Sequence, residues 1–125
     1  MNKLIGTKVF VYYNLHKHVF SIKAMEGDRK GRVVGYTTHI TVTDAIPKVS
    51  AAGRQRVIRE RKKNVHAGIV GIVESLGDMG RLEGKSVTYN PYKFSTFVLT
   101  GCLTPAPNGV RYYLHQKRIT LLGDN

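Results

Sequence analysis

The segment VHAGIVGIV at residues 65–73 carries the strongest indication of the fold, because nearly all of its side chains are apolar. Its length and its content of valine and isoleucine are typical of a strand that is covered on both faces. Gly68 and Gly71 interrupt the run, and a glycine inside a strand often marks the close approach of another backbone or a ligand. We therefore expect this segment to be a central strand of a sheet.

Further strand-like segments lie on both sides of this run. Residues 8–13 and 19–24 are rich in β-branched and aromatic side chains, and a polar loop separates them as in a hairpin. The other candidate strands are at 32–43, which Pro47 is expected to end, and at 86–89, 94–100, 110–115 and 117–122. About six to eight strands and one helix predict an α+β fold, a small single domain (residues 1–125) that is mostly antiparallel β-sheet.

The one good helix candidate is the basic segment SAAGRQRVIRERKK at residues 50–63. Ser50 can cap its N-terminus, and the basic residues of the last turn complement the helix dipole. Asn64 is a suitable left-handed stop. Val57 and Ile58 are its only bulky apolar side chains, so the helix should pack along a narrow stripe and expose the rest of its surface.

Charge bears most directly on function. Twenty Lys and Arg against eight Asp and Glu leave a formal net charge of +12 on 125 residues. Such an excess favours an anionic partner, namely nucleic acid, a nucleotide or an acidic protein surface. Net charge also serves solubility, so this alternative stays open at the level of composition.

The basic helix supplies the first candidate ligand-binding residues, Arg54, Arg56 and Arg61. Arg54 and Arg61 share a stripe with Ile58 by helical spacing. A guanidinium held beside packed surface can grip a phosphate with two hydrogen bonds. The alternative is a solvated run of charge on an exposed helix.

The second candidate site is the aromatic segment around Asn90, Tyr92 and Phe94. Aromatic rings stack on a purine, and an asparagine side chain can recognise the edge of the base. The alternative is an aromatic turn whose rings simply belong to the core.

A third candidate is Arg111, which strand alternation places on the same face as Tyr113 and His115. The intervening residues are apolar and fall on the opposite face. A row of cationic and aromatic side chains suits a nucleotide or RNA, although it is equally typical of the wet face of a half-buried sheet.

Several classes of function lack their usual signals. The eight carboxylates are not clustered as a two-metal nuclease requires, and no phosphate-binding glycine loop, dinucleotide fingerprint or nucleophile elbow occurs. One cysteine supplies neither a disulfide nor a Cys-based zinc site. We therefore predict no catalytic residue, no metal and no cofactor. Without a long apolar run or a signal peptide, we also predict no membrane association and a cytoplasmic location.

Four blocks carry a resemblance to a known family: NLHK at 14–17, AGRQRVIRE at 52–60, KNVHA at 63–67 and TYNPY at 88–92. Together they resemble the Thoeris anti-defence proteins of phages, of the type that acts as a sponge for the immune signal. The resemblance covers roughly residues 8–120. It implies a phage protein in the host cytoplasm that sequesters a cyclic ADP-ribose signal without cleaving it.

The same resemblance implies a ligand-binding mode. Adenine would stack on an aromatic ring and arginines would hold the two phosphates. It further implies a homo-oligomer with pockets near protomer contacts, and a second site for cyclic oligonucleotides. The ligand-binding residues predicted here rest on side-chain chemistry and are Arg54, Arg56, Arg61, Asn90, Tyr92, Phe94 and Arg111.

Two other functions remain open on the sequence. The first is a basic RNA-binding protein or metal-independent ribonuclease, for which His16, His66 and Arg54 would supply the base, acid and cation. The second is an inhibitor that covers an acidic host protein with its positive surface.

Overall fold

The computed structural model describes residues 3–78, 80 and 83–123. The strands are β1 (Lys8–Asn14), β2 (Val19–Ala24), β3 (Val33–Thr37), β4 (His39–Val49), β5 (Ala67–Ser75), β6 (Lys85–Thr88), β7 (Val98–Leu99), β8 (Val110–His115) and β9 (Arg118–Gly123). The helix α1 (Ala51–Glu60) joins β4 to β5. Within the described residues, all nine strands form one antiparallel sheet in the order β3-β2-β1-β5-β4-β8-β9-β6-β7. The predicted antiparallel sheet with one helix is confirmed, although the fold is richer in strands than expected.

The central position of β5 is also confirmed, because this strand lies between β1 and β4. Both of its glycines sit where a side chain would collide. A Cβ atom at Gly68 would lie 2.4 Å from the carbonyl oxygen of Val11, and one at Gly71 would lie 3.0 Å from Cβ of Val42. The glycines therefore allow neighbouring strands to approach β5 closely.

The core lies on one face of the sheet. Val9 and Val11 of β1 are fully buried there, whereas Phe10 and Tyr12 alternate onto the opposite face and are half-buried. Val87 of β6 belongs to the same hydrophobic core as Val9, although four strands separate β6 from β1 in the sheet order. The sheet therefore curls until its two ends share one core, as strongly twisted sheets do.

The helix begins as predicted and ends earlier. Ser50 is the N-cap, and its hydroxyl accepts a hydrogen bond from the Gly53 N–H at 3.1 Å. The last helical residue is Glu60, and Arg61 takes the left-handed capping conformation (φ 54°) that was expected of Asn64. Beyond Glu60 the predicted segment has no apolar side chain to pack and only the basic residues Arg61, Lys62 and Lys63, which repel one another, so the final predicted turn does not form.

The expected strand at residues 32–43 is wrong in two respects. It divides at Thr38 into β3 and β4, and β4 continues through Pro47 to Val49. Proline is accommodated there because the pairing of β4 with β8 ends at Ala45, which leaves Pro47 with β5 as its sheet neighbour.

Candidate nucleic-acid interface

Arg54 is fixed against the aromatic turn that the sequence singled out. Its Nε donates a hydrogen bond to the carbonyl oxygen of Pro91 at 2.9 Å, which ties the first turn of α1 to this turn. Asn90 shapes the turn, because its side-chain oxygen accepts a hydrogen bond from the Tyr92 N–H at 2.9 Å. Tyr92 is 52% exposed, and Phe94 is half-buried. Four of the seven predicted site residues therefore lie together.

Arg56 and Arg61 are exposed on α1 and just beyond it. Nε of Arg56 lies 3.4 Å from Oε2 of Glu60, one turn further along the helix. Arg61 uses its backbone N–H to close the helix on the carbonyl of Val57 at 2.8 Å. An exposed ion pair of this kind adds little stability, so the guanidinium of Arg56 can exchange Glu60 for another anion.

Arg111 occupies a different region. Its Nε and Nη2 donate to the two carboxylate oxygens of Glu74 at 3.0 and 2.7 Å, a bidentate pair. Glu74 lies seven residues along β5 from Ala67, which is about 23 Å from the strand end that receives α1. The structure therefore does not bring Arg111 to Arg54, and Arg111 is already neutralised by a carboxylate.

The side chain of His66 links two strands in this arrangement. Its Nδ1 lies 2.8 Å from the carbonyl oxygen of Asn64 and its Nε2 lies 2.6 Å from the Tyr89 hydroxyl. Both ring nitrogens are thus engaged in joining the start of β5 to the end of β6. Burial raises the pKa of Tyr89, and the nearby charge of Arg54 opposes that rise. Tyr89 therefore stays protonated and can donate to His66.

The sequence reasoning missed a second group of residues on the outward face of β1. Phe10 and Tyr12 lie two residues apart on this strand with ring centroids 5.8 Å from each other. The Phe10 ring lies across Gly68, where a Cβ atom would come within 2.7 Å of its Cζ. The bare backbone of β5 therefore forms the floor on which the ring rests.

Lysines flank these rings. Lys23 pairs directly with Phe10 across β1 and β2, and its Nζ lies 6.0 Å from the centre of the Phe10 ring. Lys63 follows α1 and borders the same groove, which has a volume of about 460 Å³. None of the described residues that line this groove is acidic. We call Phe10, Tyr12, Lys23 and Lys63 the aromatic–lysine face.

A structured hairpin loop forms one wall of the groove. The side-chain oxygen of Asn14 accepts hydrogen bonds from the backbone N–H groups of His16 and Lys17, both at 2.9 Å. The amide nitrogen of Asn14 donates to the Ser21 hydroxyl at 3.1 Å. These bonds hold His16 beside the aromatic–lysine face, where it adds a polar ring to the lining.

Another cavity, of about 860 Å³, lies on the far side of β2 and is less suited to an anion. Its lining includes Glu26 and Asp28 together with basic residues. Carboxylates repel phosphate, so volume alone does not select the site. The groove at the aromatic–lysine face, whose described lining has no carboxylate, is the better candidate.

Comparison with known proteins connects the chain to phages. The family model described as Mycobacterium phage L5 gene 82 protein matches residues 2–121. The chain is also 43% identical over 113 residues to the Gene 82 protein of Mycobacterium phage L5, an alignment that covers 86% of this chain and 89% of that protein. It belongs to the phage L5 gene 82 family. No solved structure matches it.

Membership of the gene 82 family supports the expectation of a phage protein and leaves its activity to be argued from the structure. Within the described residues, the helix has ten residues and is too short and too polar to cross a membrane.

The sequence did hold one signal for the aromatic–lysine face. In the segment KVFVYY, Phe10 and Tyr12 alternate with Val9 and Val11. The period of a strand therefore places both rings on the same face as Lys8, opposite the two valines.

Proposed function

We propose that this gene 82 family protein binds single-stranded nucleic acid on the aromatic–lysine face, in the cytoplasm of the infected host. The observation that carries the proposal is the pair of outward rings of Phe10 and Tyr12, flanked by Lys23 and Lys63 in a groove whose described lining contains no carboxylate. Rings supply stacking surface for bases and lysines supply charge for phosphates.

The rings favour a single strand over a duplex. Stacking on a protein ring requires a base whose face is free, and in a duplex both faces are covered by neighbouring bases. Phe10 and Tyr12 present two half-buried rings at the spacing of alternate strand residues, with centroids 5.8 Å apart. Each stacked base contributes about 1–3 kcal/mol, so two rings supply a useful part of the binding free energy.

Charge around the groove favours the same partner. Arg61 turns the chain out of α1, and Lys62 and Lys63 follow it as exposed cations. The carboxylate of Glu60 lies within 3.7 Å of both Arg56 and Arg59, so it is already engaged on the helix. The net charge of +12 adds attraction at longer range, which screens with salt.

Sequestration of a cyclic ADP-ribose signal is the second candidate function. The hydrogen bond from Arg54 to Pro91 favours it, because that bond places a guanidinium beside the exposed ring of Tyr92. A ligand with two phosphates needs a second cation, and Arg111 is engaged by Glu74 near the other end of β5. Arg56 and Arg61 are the nearer cations in sequence. This second candidate therefore rests on the helix and the turn alone.

Fluorescence anisotropy with a labelled twelve-nucleotide single strand tests the first proposal. We expect Tyr12→Ala to weaken binding by about 1–3 kcal/mol, roughly 5- to 150-fold, because one stacked base loses its ring. Tyr92→Ala is the matched control, since it removes an exposed tyrosine from the other candidate site. The control should bind the strand like the original protein.

The two candidates give opposite results in this pair of variants. Calorimetry with a cyclic ADP-ribose should show no heat of binding if the aromatic–lysine face is the functional site. Tight binding of that nucleotide, lost in Tyr92→Ala and kept in Tyr12→Ala, would establish the second candidate and refute the first.

A further inference from the structure

Two histidines and an arginine lie in one row across three neighbouring strands. His39 of β4 pairs directly with His115 of β8, and His115 pairs directly with Arg118 of β9. Residues paired across antiparallel strands point to the same face of the sheet, and neighbouring strands lie about 4.8 Å apart. The three side chains therefore start within about 10 Å of one another. We call them the histidine row.

Neighbouring side chains hold both imidazole rings. The Tyr113 ring stacks on His115 with centroids 4.5 Å apart and on His39 with centroids 6.2 Å apart. The Thr38 hydroxyl lies 2.8 Å from Nδ1 of His39, and the Thr120 hydroxyl lies 3.5 Å from Nε2 of His115. The rings are thus oriented before any ligand arrives.

Asp78 brings a carboxylate to one end of the row. Its Oδ2 lies 3.7 Å from Nε2 of His39, and its Oδ1 accepts a hydrogen bond from the Tyr113 hydroxyl at 3.2 Å. The pKa of Asp78 is lowered, first by the Gly80 N–H that donates to Oδ1 at 2.7 Å and further by Tyr113 and the histidines. The carboxylate therefore stays charged and can pair with a protonated His39.

His115 has the opposite setting. Burial is the first cause that lowers its pKa, and the charges of His39 and Arg118 lower it further, whereas Asp78 opposes them. These groups, with Tyr113, are the titratable and charged side chains that face His115 from the strands and the loop described around it. At neutral pH His115 is therefore an unprotonated base next to a carboxylate-paired imidazole.

A groove of about 490 Å³ opens over the row. His39, His115, Arg118 and Asp78 line it, and its remaining lining is small or polar. A base, a carboxylate-paired imidazole and a guanidinium around one groove are the groups that transfer a phosphodiester to a neighbouring hydroxyl.

We propose that the histidine row is a ribonuclease centre that cleaves single-stranded RNA through its 2′-hydroxyl. His115 accepts the proton of the 2′-hydroxyl as O2′ attacks phosphorus. The bond from phosphorus to O5′ breaks, and His39 in its protonated form gives a proton to O5′. The products are a 2′,3′-cyclic phosphate and a 5′-hydroxyl, and Arg118 stabilises the negative charge of the phosphorane. Exchange with water restores both histidines.

This centre extends the proposed function, since it rests on the aromatic–lysine face to hold the strand, yet it lies in a different region. His39 and His115 sit at the start of β4 and the end of β8, whereas Lys48, near the other end of β4, pairs with Gly68 under Phe10. Binding and cleavage can therefore be removed separately by substitution.

The test uses a twelve-nucleotide RNA and mass spectrometry of the products, with the all-deoxy strand of the same sequence for binding. We expect cleavage to a 2′,3′-cyclic phosphate and a 5′-hydroxyl, and a loss of at least about 100-fold in His115→Ala and in His39→Ala. His18→Asn is the matched control, because His18 is exposed in the β1–β2 loop with φ 57°, a conformation that asparagine tolerates. It should cleave at the original rate.

A second readout separates catalysis from a structural role. The acidic limb of the pH dependence of kcat/KM should have its midpoint below the ordinary histidine value of about 6.5, since it follows the lowered pKa of His115. Any activity that remains in His115→Gln should lack this acidic limb, while circular dichroism stays unchanged.

Other outcomes would refute the ribonuclease centre and leave the proposal of single-strand binding intact. Binding of the deoxy strand without cleavage of the RNA removes the ribonuclease centre and leaves the binding face intact. Equal cleavage by His115→Ala, or products with a 5′-phosphate, would also refute it. If the original protein binds neither the RNA nor the all-deoxy strand, the proposed function is refuted instead.

Discussion

The aromatic–lysine face and the histidine row share one property, since both place aromatic rings and cations on the outward side of the same sheet. They differ in whether a carboxylate lies next to their basic side chains. Lys23 and Lys63 line a groove that has no carboxylate among its described residues, whereas His39 lies 3.7 Å from the carboxylate of Asp78. Cations without an internal partner are free to hold an external anion. Imidazoles with fixed partners are instead held in a defined orientation, which is what proton transfer requires.

Arg111 shows what happens when a cation meets a well-matched internal partner. Its bidentate pair with Glu74 uses Nε and Nη2, and both side chains are about two-thirds buried. The sequence placed Arg111 among the ligand-binding residues, because strand alternation put it beside Tyr113 and His115. The contrast with Lys63 indicates that a count of basic residues does not locate a binding site until their carboxylate partners are known.

We expect the largest effect from a substitution of Gly68, the β5 residue on which the Phe10 ring of the aromatic–lysine face rests. In Gly68→Ala the new Cβ atom meets the Val11 carbonyl at 2.4 Å and the Phe10 ring at 2.7 Å. Backbone cannot move aside easily, so we expect the free energy of unfolding to fall by about 2–3 kcal/mol in urea denaturation. Gly101→Ala is the control, because no atom of the described residues lies within 4 Å of its added Cβ.

Gly68→Ala should weaken binding of the nucleic-acid strand even where the protein remains folded, because the added Cβ displaces the Phe10 ring from its position over β5. The histidine row should keep the pH dependence of its activity. Unchanged stability in Gly68→Ala would show that the ring does not rest on β5 as described.

Removal of single lysines should have a smaller effect. Lys63→Ala and Lys23→Ala each remove one phosphate contact, so the slope of log K against log salt concentration should become shallower by about 0.7 for a single strand. Lys30→Ala removes the same charge from an exposed position outside the groove. An equal change of slope in all three variants would indicate that net charge, and not the aromatic–lysine face, attracts the strand.

The smallest effect concerns stability and pH at the histidine row. His115 has a lowered pKa in the folded state, so the unfolded chain binds more protons as the pH falls below about 6.5. The stability that depends on neutral His115 is therefore present at pH 7.5 and declines toward pH 5.5. Asp78 stays charged throughout this range, since the hydrogen bond from the Gly80 N–H lowers its pKa from the ordinary value of an aspartate.

Urea denaturation at pH 7.5 and 5.5 measures this difference. The original protein should lose more stability between the two values than His115→Gln, which has no imidazole to titrate at that position. A loss in His115→Gln as large as in the original protein would show that the environment of His115 does not disfavour its charge.

Parts of the fold were predictable because local patterns decide them. The apolar run with Gly68 and Gly71 identified the central strand, and Ser50 identified the start of α1. Alternation correctly placed Tyr113 and His115 on one face. The end of α1 and the passage of β4 through Pro47 depend on which neighbours a segment meets, and this information is not local.

The sites were less predictable for the same reason. The pairing of His39 with His115 and Arg118 follows from the strand order β4-β8-β9 and its register. The loss of Arg111 to Glu74 depends on contacts between residues 37 positions apart. The sequence showed only that Phe10 and Tyr12 fall on the same face of a strand. Whether that face is exposed or buried depends on where the core lies, which the sequence did not show.

The most direct test of strand binding is an amide chemical-shift titration of the protein with a short all-deoxy single strand. Phe10, Tyr12, Lys23 and Lys63 should shift most, and the helix start at Arg54 and the Asn90 turn should stay near their starting positions. Shifts confined to Arg54 and that turn, with the β1 rings unaffected, would contradict the assignment of the binding face.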